Sequence, residues 1–189
     1  IGSTILRRLA AGGAWETITD SGAPAGSIIT AGVSAGTNLY VSYSPAAESI
    51  RYTNNGTTWN DYAVSGLPAG EPVQNLLFAG TQLFVVTQHS TGTSSSDYTT
   101  YYTILRDGGG GAFAGTGITD VVCGYPSAAA WDGAAFWIVA GNAVFTGTAG
   151  ALVSDTANVT AAGFTATYPV LGVWYDSANS AVLAAAAAA

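Results

Sequence analysis

Lysine is absent from the 189-residue chain, and four arginines stand against eleven acidic residues, for a formal net charge of −7. That balance excludes a conventional nucleic-acid surface, whose affinity rests on Lys and Arg neutralising phosphates. It also disfavours a polybasic membrane-surface module. Charged residues of either sign make up 8%, against about a quarter in ordinary soluble domains. Cys123 is the one cysteine, so neither an internal disulfide nor a cysteine-based metal site is available, and it reads as a small buried apolar residue. His89 is the one histidine, which leaves no second imidazole for a histidine metal site. Hydrophobic residues reach 49%, yet no run approaches the roughly 18–20 apolar residues of a spanning helix. The longest, Ala181–Ala189, is mostly alanine and too short. Methionine is absent and the chain opens at Ile1, so a piece of a longer polypeptide is expected. The closing run Ala184–Ala189 reads as a small-residue strand or as residues of unassigned identity.

Helix signals are nearly absent too. Only the stretch around Thr4–Ala11 tolerates a helical reading, and Ile5 and Leu6 there fit a strand equally well. Elsewhere short runs of Val, Ile, Thr, Tyr, Phe and Trp alternate with clusters of Gly, Pro, Ser and Asn, the spacing of an all-β sandwich, barrel or propeller.

An internal repeat chooses among these. Four segments align: Arg8–Trp15 (RLAAGGAW), Tyr52–Trp59 (YTNNGTTW), Arg106–Phe113 (RDGGGGAF) and Thr146–Val153 (TGTAGALV). Each has glycine fifth and a large apolar residue eighth, giving the anchors Gly12/Trp15, Gly56/Trp59, Gly110/Phe113 and Gly150/Val153. Between anchors a Pro/Gly connection recurs, Ser21–Gly26 and Ser65–Gly70, with Tyr125-Pro126 and Tyr168-Pro169 in the corresponding places. An apolar run follows each (Ile28–Ala31, Val73–Ala79, Ala128–Trp131, Val170–Tyr175), then a turn, then a second run at Leu39–Val41, Leu83–Val86, Phe136–Val139 and Ala181–Leu183. The turns have hairpin chemistry, Gly or Asx tolerating positive φ. A third run precedes each glycine motif (Ile5-Leu6, Ile50–Tyr52, Tyr101–Leu105, Val144-Phe145), and a fourth follows the anchor, as in Trp59–Tyr62. Four short strands per unit of about 40–45 residues is the pattern of a β-propeller blade, which buries both sheet faces only by stacking on its neighbours. The expected fold is therefore all-β: residues 1–189 form one β-propeller domain of four-stranded antiparallel blades. About four blades are visible, either a closed ring or a slice of a larger one. In the closed version, strands three and four at the N-terminus complete the sheet begun by strands one and two at the C-terminus.

The element Tyr52–Trp59 resembles the Asp-box, the bacterial neuraminidase repeat, with the pattern Ser/Thr-x-Asp-x-Gly-x-Thr-Trp; Asn54 stands in the aspartate place, and Gly56, Thr58 and Trp59 are kept. Gly12/Trp15 and Gly110/Phe113 keep the skeleton only. The resemblance implies a sialidase-like propeller in which the box is a structural hairpin between strands three and four, on the rim away from the usual ligand face. Its chemistry is that glycine takes the tight turn, the Asx side chain bonds turn amides, and the indole fills the gap between sheets. In enzymes of that family an arginine trio clamps the substrate carboxylate, beside a tyrosine nucleophile, its glutamate partner and an acidic aspartate. Here Arg7, Arg8, Arg51 and Arg106 all precede a glycine turn on third strands, a placement that reads as rim charge rather than as a converging clamp.

The remaining chemistry is sparse. Asp132 and Asp176 occupy equivalent first turns and read as hairpin residues rather than as the paired carboxylates of a glycosidase. Gly108–Gly111 lacks the Lys-Ser/Thr of a phosphate loop. One insertion breaks the repeat, Gln88–Thr100 (QHSTGTSSSDYTT), between strands two and three of the blade anchored by Phe113. It shares a face with the blade-to-blade links. Its candidate binding residues are His89, Asp97, Tyr98 and Tyr101, with tyrosine supplying apolar area and a hydroxyl. No catalytic residue, metal or cofactor is expected. The expectation is a non-catalytic structural or binding module on a virion (phage tail or capsid) or other extracellular surface. Its partners would be a glycan or protein ligand and neighbouring surface proteins, with no nucleic acid and no membrane insertion. The alternative is a sialidase-like glycoside hydrolase whose catalytic residues lie in further blades.

Overall fold

The computed structural model describes residues 5–8, 14–44, 49–62, 65–69, 71–92, 99–108, 111–121, 125–148, 150–155 and 170–186. Among them are sixteen strands and no helix. β1 (Ile5–Arg8) and β2 (Trp15–Ile18) form a two-stranded sheet. β3 (Ile28–Ala35), β4 (Asn38–Ser44), β5 (Ser49–Thr53) and β6 (Asn60–Tyr62) form the first four-stranded sheet. β7 (Val73–Ala79), β8 (Gln82–Thr91), β9 (Thr99–Asp107) and β10 (Phe113–Val121) form the second. β11 (Pro126–Trp131), β12 (Phe136–Ala140), β13 (Ala143–Thr148) and β14 (Ala151–Ser154) form the third. β15 (Val170–Asp176) and β16 (Ala181–Ala186) close the series as a pair.

Every ladder is antiparallel and each four-stranded sheet is a meander in chain order. The first strands stack in series, β3 on β7, β7 on β11 and β11 on β15. The arrangement is propeller-like, with no sheet closed. β15–β16 and β1–β2 stay separate two-stranded sheets, so the sheet expected to unite the two ends of the chain is not formed among the described residues. A regularity that the sequence alignment did not show is a register shift near the start of each of these first strands: Ile29/Ala31, Val73/Asn75, Pro126/Ala128 and Val170/Gly172. Such bulges sharpen local twist, and here they recur where each unit begins.

Alternation along β8 explains the stacking. Leu83 and Val85 point to one side and pack with Ile50, Val73, Leu76, Leu105 and Phe113, against the first sheet. Phe84 and Val86 point to the other and pack with Ile104 of their own sheet and with Phe136, Ile138 and Phe145 of the third. The Phe84 and Phe136 rings meet edge-to-face at 5.0 Å. β12 repeats the device, with Ile138 facing the second sheet and Val139 facing β15–β16, where it packs with Val173. Trp174 and Leu183, directly opposite each other on the outer face of β15–β16, remain exposed.

The repeat anchors divide. Phe113 is buried between the first and second sheets. Trp59 is half-buried and lies outside the core clusters. Trp15 opens β2, while Gly12 and Gly110 lie outside the described residues. Val153 does not serve as an anchor: it is 62% exposed, and Leu152, 4% exposed, fills the core place. The cause is turn length. Phe113 pairs with Asp107 across a five-residue connection, and Leu152 pairs with Gly147 across a four-residue one. Losing one residue from a period-two strand sends the next side chain inward. Leu152→Ala is expected to cost about 2–5 kcal/mol in urea unfolding, and Val153→Ala no more than about 0.5 kcal/mol; the reverse ranking would refute this register.

Candidate functional site

The Gln88–Thr100 insertion is largely strand. β8 continues to Thr91 and β9 begins at Thr99, with His89 opposite Tyr101, Ser90 opposite Thr100 and Thr91 opposite Thr99. The second sheet thus extends a paired β arm beyond its apolar core. Asp97 and Tyr98, two of the four residues singled out in it, lie outside the described residues. The other two, His89 and Tyr101, are brought together: their rings stack with centroids 5.2 Å apart and planes 11° from parallel.

Side chains on this face grade from apolar to polar up the strand. Leu83 and Val85 are core, Thr87 is fully buried, His89 is half-buried and Thr91 is exposed. The blade-to-blade link supplies the carboxylate. It first docks by Ser65, whose N–H donates to the Gly111 carbonyl (2.9 Å) and whose carbonyl accepts from Phe113 N–H (2.8 Å). Gly66 follows at φ +81°, where a Cβ would collide with the Phe113 carbonyl oxygen, so glycine is required there. The link then reaches Pro72, whose carbonyl accepts from Gln88 N–H at 3.3 Å. This puts Glu71 at the base of the arm. Its Oε2 accepts from the Thr87 hydroxyl (2.6 Å), and its Oε1 stands 3.2 Å from His89 Nδ1. Glu71 was not singled out from the sequence. The signal lay in its place, a lone acid between a Pro/Gly link and a first strand.

The other face of the arm carries a second aromatic contact. Tyr102 meets Tyr125 edge-to-face at 5.8 Å, and Tyr125 Oη donates to the Gln74 carbonyl at 2.8 Å. Burial pushes the Tyr125 phenol above its ordinary pKa.

The arginines are not uniformly rim charges. Arg51 is 7% exposed, and its Nε donates to Asp20 Oδ2 at 2.6 Å. Tyr43 Oη donates to the same oxygen at 3.1 Å, and Arg51 also pairs with Asp61. Asp20 sits after β2, so the pair binds the first two-stranded sheet to the first four-stranded one; an acid immediately before a Pro/Gly link had no mark of burial in the sequence. Arg106 does lie at the turn end of its strand, beside Gly150 of the following sheet. Arg7 and Arg8 are placed on β1 by their backbone. Asp132 and Asp176 are turn residues, as expected. Asp132 Oδ1 accepts from Ala134 and Ala135 N–H (2.8 and 2.7 Å) and Oδ2 from Trp137 Nε1 (2.7 Å), whereas Asp176 Oδ1 accepts from Ala178 N–H at 3.0 Å. These donors hold both carboxyls below their usual pKa: for Asp132 chiefly the Ala135 amide, for Asp176 chiefly the Asn179 side chain.

The best-matching glycine motif forms a capped turn, with Gly56 at φ +75°. Its side-chain acceptors are Thr53 Oγ1, which takes Gly56 N–H at 2.8 Å, and Asn55 Oδ1, which takes Thr57 and Thr58 N–H at 2.8 Å each. Asn54, aligned with the box aspartate, is exposed, and the turn-bonding Asx is its neighbour. At the far ends of β7, β11 and β15 a depression of about 450 Å³ is lined by Phe78, Gly80, Trp131, Trp174, Tyr175 and Ser177, and none of its lining residues is charged. Among the described residues no three His, Cys, Asp or Glu side chains converge to hold a metal ion, and no helix is long and apolar enough to cross a membrane. No protein-family model matches the chain, and no curated protein matches it.

Two measurements probe the buried network. Asp20→Ala leaves the Arg51 guanidinium buried without its main partner and is expected to cost about 3–5 kcal/mol. Asp61→Ala removes an exposed partner and is expected to cost about 1 kcal/mol or less. The second concerns pH. Burial first, then the Asp20 charge, raises the Tyr43 phenol; burial, then its hydrogen bond to Asp107, raises that of Tyr62. A raised folded-state pKa contributes stability that is complete below the unfolded value, about 10, and that is lost as pH climbs through the folded one. Urea midpoints are therefore expected to hold steady up to about pH 9 and then fall, with a shallower fall in Tyr43→Phe; an equally steep fall in that variant would exclude Tyr43 as a source.

Proposed function

We propose that this chain is a non-catalytic recognition module of degenerate Asp-box type. It works on a virion, such as a phage tail or capsid, or on another extracellular surface, and takes a glycan or protein ligand at the β8–β9 arm. The observation that carries the reading is the arm itself. One sheet of a repeated series carries its strand pairing beyond its apolar core to Thr91 and Thr99, with a stacked His89–Tyr101 pair and an anchored Glu71 at the base of that extension. A surface placed on a rigid scaffold loses less entropy on binding than a floppy loop does, and exposed aromatics with hydroxyl neighbours suit recognition. Chain chemistry supports the location: no lysine, few charges of either sign and 25 glycines. Kinship to the Asp-box rests on the capped turn at Gly56, where glycine and side-chain acceptors do the work that box requires. The non-catalytic part rests on Arg51, whose guanidinium is committed to Asp20 and Asp61 and so does not join a carboxylate clamp.

The test replaces His89–Tyr101 by an Asn-Gly turn between the paired Gln88 and Tyr102, which suits a two-residue hairpin and removes the stacked rings. Binding to a glycan array and to a panel of cell surfaces is expected to fall at least tenfold, with the urea midpoint held. Unchanged binding would overturn the arm as the recognition element, and turnover of a fluorogenic sialoside by the natural chain would overturn the non-catalytic reading.

A further inference from the structure

We infer that the base of the β8–β9 arm selects uncharged pyranose sugars and rejects carboxylated or sulfated ones. This rests on the recognition role proposed for the arm and names its ligand class.

Three features converge there. First, His89 and Tyr101 are directly opposed across the ladder and stack face to face, and each ring keeps partial access to solvent. The part of this ring pair left open to solvent offers apolar area of the kind the C–H face of a pyranose packs on, and the phenol adds a hydroxyl that donates and accepts. Second, the next rung on the same face, two residues along each strand, presents hydroxyls: Thr91 opposite Thr99. Neutral hydroxyls exchange hydrogen bonds with sugar hydroxyls at no cost in charge desolvation.

Third, the one charged side chain described at this base is a carboxylate. Glu71 is held by the Thr87 hydroxyl on one oxygen and lies against His89 with the other. An oriented carboxylate accepts sugar hydroxyls well, and it repels an incoming carboxylate or sulfate. The two arginine side chains among the described residues are elsewhere. Arg51 is buried with Asp20, Arg106 lies beside Gly150 at the opposite end of β9, and the chain has no lysine to add. The net charge of −7 works in the same direction at longer range. The ligand preference is therefore opposite to that of a site built to clamp a sugar carboxylate.

The experiment uses the natural chain on an array that carries the same oligosaccharides with and without terminal sialic acid or sulfate, at about 0.15 M salt. The expected result is binding to neutral members and a drop of at least tenfold when the acidic group is added. Tyr101→Ala is expected to lose at least tenfold on neutral glycans. Glu71→Gln keeps the shape and one acceptor oxygen for the Thr87 hydroxyl, removes the charge, and is expected to narrow the neutral-over-acidic ratio while neutral binding survives. That narrowing is a readout that mere unfolding would not produce. Equal or tighter binding to the acidic members, or no array member bound at all, overturns the inference. If no glycan binds yet arm replacement still abolishes attachment to cells, the ligand is a protein and the recognition role stands without the sugar. If arm replacement changes nothing, the recognition role itself falls.

Discussion

Every described sheet in this chain depends on a neighbour for its stability. The clearest case is β8, where Leu83 and Val85 belong to one core and Phe84 and Val86 to another. A single antiparallel sheet with apolar side chains on both faces is insoluble by itself; stacked in series it buries both at once. The chain's other properties follow from that constraint. Turns must be short enough to keep adjacent first strands in contact, which places Gly and Asx at the connections.

Scarcity of charge makes each ionic contact specific. Asp20, in the link just after β2, and Arg51, on β5, are both nearly inaccessible, so their pairing ties the end of β1–β2 to the next sheet. A buried pair of this kind is weak as a net source of stability and strong as a determinant of geometry, because either half alone is costly. Glu71 and His89 play the corresponding part at the arm, where a link residue is tied to a strand residue of the unit it introduces. One pair is sealed in protein and the other opens to solvent, which separates a structural contact from the proposed recognition surface.

Much of this organisation was legible in the residues. Strand runs separated by Gly and Asx turns located the described strands, and glycine at the fifth motif place marked the tight turn at Gly56. Three details were not legible, each for a local reason. A connection one residue shorter put Leu152 rather than Val153 inward, and such a slip leaves the apolar pattern nearly intact because both residues are aliphatic. Asn55 rather than Asn54 caps its turn, since adjacent asparagines are indistinguishable by type. The arm reads as a Ser/Thr loop because its polar residues lack the apolar alternation of a half-buried strand; cross-strand pairing with β9, not side-chain burial, makes Gln88–Thr91 a strand. Arg51 escaped as a buried residue because its partner lies 31 positions away, beyond any local pattern.

What joins scaffold to function is the claim that the arm is an extension of a rigid sheet and not a mobile spacer. Hydrogen–deuterium exchange along β8 and β9 tests it most directly. Slow exchange of the ladder amides in residues 88–91 and 99–101, within the range set by the same strands at 83–86 and 103–106, is the expected result. Exchange at the rate of an unstructured peptide above Thr87, with protection only below it, would contradict the account.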